Sequence, residues 1–266
     1  MIRMHPLPLP MGEVPQCARW GGEGPLSQKS ADEEPIFASS PRGGAKIAPF
    51  GRSAAVGCRL IPKINNNFSF FGGTYMEILY SDRNIVVIIK PVGLDSEHEI
   101  PAAIGGECYT VHRLDKNVGG VMVYARNKQT AAALSRAIQD GSMVKEYVAM
   151  VHGNLPEQGD WEDLLFKDST KNKVFVVKKE RKGVKKARLE FRRMYAGETS
   201  LVRIRLHTGR SHQIRVQFSS RGFPLVGDHK YGSRDEKTNP MLFSCCLTFP
   251  WKGKEIRFEA LPEWAK

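Results

Sequence analysis

From Met76 to the C-terminus the chain is a succession of short β-branched or alternating runs, each bounded by glycine, proline or charged turn residues, with helical period in only two places. That texture restricts the fold more than any other feature. Ile85–Ile89 (IVVII) and Gly120–Tyr124 (GVMVY) predict buried strands by their β-branched content. Lys145–Val151, Ala187–Met194 and Leu201–Leu206 predict three more. Phe243–Phe249 and Glu255–Phe258 predict a closing hairpin around Trp251-Lys252-Gly253. Asn127 to Gln139 predicts a helix with Asn127 or Thr130 as cap, Ala131, Leu134 and Ile138 on one face, and Gly141 as terminator. Ser211 is expected to cap a short helix running to Ser220 and closed by Gly222. Many antiparallel-looking strands with few helices define an α+β class. Residues 1–75 lack this texture. They are rich in Pro, Gly and Ser, and their apolar residues follow no period. They are expected to be a translated leader ahead of a start at Met76, or a disordered tail. Residues 76–266 form the expected domain.

Charge narrows the partner. The chain carries a net +12, of which +9 lies in residues 76–266. The stretch from Lys167 to Arg193 holds twelve Lys/Arg against three Asp/Glu, so it alone matches that whole excess. Val174–Val177 followed by KKERKGVKK reads as a hairpin turning at Gly183, with Lys178, Lys179, Arg181, Lys182, Lys185 and Lys186 as a cationic stripe. Such a stripe is the footprint of phosphate binding, and equally of a solvated edge strand guarded by lysines. No apolar run is long enough to span a bilayer, so no membrane partner is expected. Five cysteines without a CxxC spacing argue against a disulfide framework and against a cysteine zinc site, and fit a reducing cytoplasm. There is no Walker loop, GxGxxG, GxSxG or HExxH motif, so ordinary side chains must carry any chemistry.

Three polar clusters are candidates. His112-Arg113-Leu114-Asp115 lies just before the strand that opens with Gly119-Gly120. A carboxylate on a loop at a strand end faces a cleft, and the neighbouring arginine would keep it ionised. Taken alone, the four residues describe a loop salt bridge as well. Lys145-Glu146-Tyr147 heads a strand; Tyr147 is either core packing or an aromatic face with a hydroxyl for proton transfer. Thr208–Arg215 (TGRSHQIR) reads as a glycine turn entering a helix, with Arg210 and Arg215 suited to phosphate or to a carboxylate. A capped helix with a solvated arginine face fits those residues equally.

Together with Lys90-Pro91-Val92-Gly93-Leu94 and Gly227-Asp228-His229-Lys230-Tyr231-Gly232, and with Leu247-Thr248-Phe249-Pro250 closing the order, these clusters resemble the RluA-type pseudouridine synthases from Met76 to about Trp264. Six motifs in the family's order are highly specific. The resemblance implies a mixed, mostly antiparallel sheet with flanking helices and a central RNA-binding cleft. It implies detachment of uracil from C1′, rotation, and rejoining through C5, with no cofactor. By resemblance Asp115 is the central carboxylate, attacking C1′ or removing the C2′ proton. Arg215 pairs with Asp115, and Tyr147 stacks on the uracil and helps remove the C5 proton. Arg113 helps hold the flipped-out strand, and Arg210 binds phosphate or supports the site. His112 and His212 are structural hydrogen-bonders. The implied partner is ribosomal or transfer RNA and the implied state a monomer. One departure stands out: where the family usually shows Thr-Ser-Gly after the aspartate, this chain has Val118-Gly119-Gly120. That departure motivates a second reading, a non-catalytic RNA-binding protein derived from a synthase. A nucleic-acid glycosidase ranks last, because such enzymes call on two carboxylates or an activated water.

Overall fold

In the computed structural model, residues 67–71 and 74–266 are described. The expected leader or tail, residues 1–75, otherwise lies outside them. A strand at Asn67–Phe71 (β1) pairs antiparallel with Thr74–Ser81 (β2), so regular structure begins ahead of Met76. The other strands are Ile85–Lys90 (β3), Tyr109–Thr110 (β4), Gly119–Ala125 (β5), Val144–His152 (β6), Gln158–Asp168 (β7), Lys173–Val177 (β8), Val184–Tyr195 (β9), Thr199–Leu206 (β10), Leu242–Trp251 (β11) and Lys254–Glu259 (β12). They form one sheet in the order β1-β2-β3-β5-β11-β6-β10-β9-β7-β8, with β12 beside β11 and β4 beside β5. Every pairing is antiparallel except β5 with β11. Among the described residues three α-helices flank the sheet: Glu99–Ile104 (α1), Lys128–Gln139 (α2) and Gln213–Ser219 (α3). None among the described residues is long and apolar enough to cross a membrane.

The sheet is buried on both faces around β5, whose seven residues are all buried. Alternation sends Val121 and Val123 to one core with Leu134 and Ala137 of α2, and Met122 and Tyr124 to the other. α2 starts as its sequence predicts: the Asn127 side chain accepts from Thr130 N at 2.9 Å. The second core joins Tyr147 of β6, Leu189 and Phe191 of β9, Val202 and Ile204 of β10, and Ile214 and Phe218 of α3. Phe218 has no solvent exposure, and burying such a ring contributes about 1.5–3 kcal/mol. This packing holds α3 against the sheet face that carries Tyr147.

Two expectations are corrected. Val174–Val177 does not pair with the basic segment that follows it. β7 lies between β8 and β9 and pairs with both. The basic run 178–183 is therefore a connection passing from one side of β7 to the other. β7 was hidden because Asp160, Glu162 and Asp163 interrupt its apolar pattern; Asp160 meets Arg188 and Asp163 meets Arg221, at 2.7 and 2.8 Å. The second correction concerns α3, which Ser211 does not cap. His212 occupies the position before the helix with a left-handed φ of 50°. The Gln213 side chain organises the preceding turn instead, accepting from Arg210 N and Thr208 Oγ1 and donating to Arg188 O.

Candidate active site

Asp115 stands on the loop between β4 and β5, and the loop is tied down from several sides. Ser96 Oγ donates to Leu114 O at 2.9 Å and accepts from Leu114 N at 3.2 Å. Gly93 N donates to Lys116 O, and Val118 N to Asp115 O. Lys90, with no solvent exposure, donates through Nζ to the carbonyls of Pro91, Leu94 and Lys116 at 2.8, 2.7 and 3.2 Å. Burial pushes its ammonium down to about 8, against the pull of Asp95 and Asp115. Lys90 and Ser96 thus order the segment on either side of Asp115.

These contacts account for the Val118-Gly119-Gly120 departure. Val118 is buried in the core. A side chain on Gly119 would press on Lys90 O at 3.1 Å and on Val92. Gly120 has φ +129°, and a Cβ there would lie 2.4 Å from Ser244 O, so β11 can approach only a glycine. The ordering that hydroxyls would provide comes from Ser96 and Lys90.

The arginine that meets Asp115 is not its neighbour in sequence. Arg113 turns outward to Glu97, 2.6 Å away on the surface. Arg215 of α3 reaches Asp115 from a hundred residues on, with Nη1 2.8 Å from Oδ2, the expected salt bridge. Its other edge is gripped by Asp228, with Nε and Nη2 donating to Oδ2 and Oδ1 at 2.7 and 2.8 Å. Side-chain exposure rises along this row from 1% at Asp228 through 8% at Arg215 to 28% at Asp115. The row therefore runs from the interior to an accessible carboxylate. Burial opposes the Arg215 charge, but the two carboxylates outweigh it and raise its pKa. The Arg215 guanidinium also lies 5.1 Å from the Tyr231 ring centre. The Tyr231 hydroxyl accepts from Val174 N and shares a hydrogen bond with His212 Nδ1. His212 Nε2 is 3.9 Å from Asp115 Oδ2.

Asp115 and Tyr147 line one cavity of about 580 Å³. Tyr147 is buried, and its hydroxyl pKa is raised by burial and by Asp115, partly offset by a hydrogen bond with Ser244. Arg113, Lys145, Arg205 and Arg210 also line the cavity; Asp115 is its one carboxylate among the described residues. The cationic stripe is not part of this wall. Lys178, Lys179, Arg181, Lys182, Lys185 and Lys186 are all exposed. The stripe meets the site at its rim, where Arg210 Nε donates to Lys186 O at 2.9 Å. Asp228, Ser244, Lys90 and Ser96 were not assigned roles from sequence. Only Asp228 and Lys90 carried a signal, as members of short motifs.

A loop carboxylate is thus clamped by a buried arginine beside a cationic cavity on a mixed sheet. Residues 84–220 match the family described as RNA pseudouridylate synthase, which is more than half of the chain. The chain belongs to that family. It is 34% identical over 181 residues to the ribosomal large subunit pseudouridine synthase D of Borreliella burgdorferi, covering 59% of this chain and 55% of that one. It is 33% identical over 203 residues to the protein of the same name from Pseudomonas aeruginosa, covering 69% and 62%. The chain thus spans a little over half the length of these curated relatives. In fold it is similar to human RNA pseudouridylate synthase domain containing 1, with a TM-score of 0.60 at 23% identity, covering 76% of this chain and 86% of that one. It is also similar to human domain containing 4, with a TM-score of 0.58 at 24% identity, covering 71% and 89%.

Proposed function

We propose that this protein isomerises selected uridines in RNA to pseudouridine, with Asp115 as the reacting carboxylate. The observation that carries this reading is the row Asp228–Arg215–Asp115, which fixes one carboxylate at the edge of a cationic cavity that Tyr147 also lines. A stacked uridine is out of reach, so the target nucleotide is flipped into the cavity at a cost of about a few kcal/mol. Contacts from the phosphate backbone to Arg113, Arg210 and the exposed lysines of residues 178–186 offset that cost.

Asp115 then attacks C1′ as the C1′–N1 bond breaks, or takes the C2′ proton to leave a glycal. Uracil turns and C5 bonds to C1′; on the first route this breaks the Asp115–C1′ ester and frees the carboxylate, and on the second Asp115 returns its proton to C2′. The C5 proton is lost and N1 gains one, so the product is an isomer of the substrate. Tyr147 stacks on the freed base. Its raised pKa keeps the phenol protonated at neutral pH, so it passes the C5 proton on as a relay rather than acting as a phenolate. Arg215 balances Asp115 throughout, and Asp228 keeps Arg215 in place.

The relatives' names point first to RNA of the large ribosomal subunit; transfer RNA is the second substrate class. The setting is the cytoplasm and the working unit a monomer. The test is chromatography of nucleosides from ribosomal and transfer RNA of a synthase-deficient host, before and after treatment with the full chain. A new pseudouridine peak at the expense of uridine is the expected result. Unchanged nucleosides, with RNA binding intact, would instead favour the non-catalytic RNA-binding reading.

A further inference from the structure

Lys145 and Arg205 are the half-buried cations of the cavity wall that no carboxylate engages among the described residues. Arg113 has Glu97, and Arg215 has two aspartates. Lys145 heads β6 two residues before Tyr147, half-buried in the cavity wall, and no carboxylate lies within salt-bridge distance of it among the described residues. Burial alone lowers its pKa. His112, which also lines the cavity, holds a second donor without an acceptor. His112 Nε2 accepts from Val123 N at 3.2 Å, which assigns the remaining ring proton to Nδ1, and Nδ1 is buried without a partner. Burial, then the Lys145 charge, push the His112 pKa down to about 3, so the imidazole is neutral and the ammonium is the charge at this spot. The ammonium lies close to Gly209: a Cβ there would lie 3.1 Å from Lys145 Nζ.

A partly buried cation without an anion costs folding energy. Nothing inside the described protein offsets that cost, which points to an anion supplied from outside. The cavity is within the range of about 300–1,000 Å³ typical of small-ligand sites, and Asp115 and Tyr147 line it too. We propose that Lys145, with Gly209 leaving room for its ammonium and His112 beside it, forms a subsite for the phosphodiester next to the flipped-out uridine. The inference rests on the RNA-isomerising reading above and extends it. Lys145 binds the group that fixes the ribose relative to Asp115, whereas the exposed lysines of residues 178–186 bind RNA nonspecifically.

Two measurements on the full-length protein test this. The first is single-turnover tritium release from ribosomal RNA labelled at uridine C5, at several salt concentrations, for wild type, Lys145→Met, Lys145→Arg and Gly209→Ala. Lys145→Met should raise the half-saturating concentration by about 10- to 100-fold, the scale of one charge-assisted hydrogen bond. It should also reduce the logarithmic salt slope by about 0.7–0.9, the value of one phosphate contact. Lys145→Arg should recover part of the loss, and Gly209→Ala should fall between wild type and Lys145→Met. The second is thermal unfolding without RNA, where Lys145→Met should melt at or above the wild-type midpoint because it removes an uncompensated charge. Wild-type release with an unchanged half-saturation and salt slope in Lys145→Met would overturn the subsite while leaving the isomerase reading intact. A clearly lowered midpoint in Lys145→Met would make the lysine structural and would also overturn it. No release by wild type would remove both readings.

Discussion

At the scale of single residues, one carboxylate is held between an interior ion network and an accessible cavity. Asp228 is almost wholly buried and makes two hydrogen bonds to Arg215. Asp228→Ala would leave the inner edge of a buried guanidinium unpaired. The expected cost is about 3–5 kcal/mol in urea unfolding, with a fall in kcat of about a hundredfold from misplacement of Arg215 and Asp115. A variant with wild-type stability and wild-type kcat would show that Asp228 positions nothing. Lys90 provides a pH test. Its proton is held less tightly in the fold, at about 8, than its ordinary value of 10.5. Below pH 8 both folded and unfolded chains are protonated, and the burial cost is present in full. Between about pH 8 and 10.5 the unfolded chain binds more protons, so stability from this group rises with pH. The unfolding free energy of wild type relative to Lys90→Met should therefore increase across that window. A flat or falling difference would contradict the assignment. That Asp115, Tyr147 and Arg215 come together was legible in sequence through the family resemblance of the motifs that carry them. Ser244 and Ser96 were not, because their roles arise from contacts across tens to a hundred or more residues.

At the scale of elements, β6, β11 and α3 converge on the site, and β8 is coupled to it through one hydroxyl. Tyr231 Oη accepts from the buried backbone of Val174 and hydrogen-bonds His212, which packs near Asp115. Tyr231→Phe keeps the ring under the Arg215 guanidinium but leaves Val174 N–H without a partner. It should cost about 1–3 kcal/mol, with faster hydrogen exchange at the Val174 amide than in wild type. Unchanged exchange there would mean that β8 is held by its pairing with β7 alone. Strands with uninterrupted β-branched runs, such as β3 and β5, could be read from sequence, as could α2 with its Asn127 cap. β7 could not, because its acidic residues mask the period. As a result the basic segment after β8 was read as a hairpin turn and not as a connection past β7. The start of α3 was misplaced because Gln213, a side chain within the helix, does the work expected of Ser211.

At the scale of the whole molecule, a single mixed sheet brings distant segments to one cavity. The parallel pairing of β5 with β11 sets Gly120 against Ser244, and the antiparallel pairing of β6 with β11 sets Ser244 beside Tyr147. An α+β class followed from the run of short strands, but the strand order did not, since no local pattern specifies which strands pair. The charge divides in a way sequence alone did not reveal. The cations of residues 178–186 stay exposed outside the cavity, while the cavity draws its cations from the loop that carries Asp115, β6, β10 and the turn before α3. In the proposed function, nonspecific RNA affinity lies on one surface and chemistry in another, joined where Arg210 meets Lys186, and Asp115 isomerises uridine in RNA. The most direct test is tritium release from ribosomal and transfer RNA labelled at uridine C5, comparing the full chain with its Asp115→Ala variant at matched RNA occupancy. The expected result is release by the wild type and none by the variant, with RNA affinity similar for both. Release that survives Asp115→Ala, or its absence from a wild-type protein that binds the RNA, would contradict it.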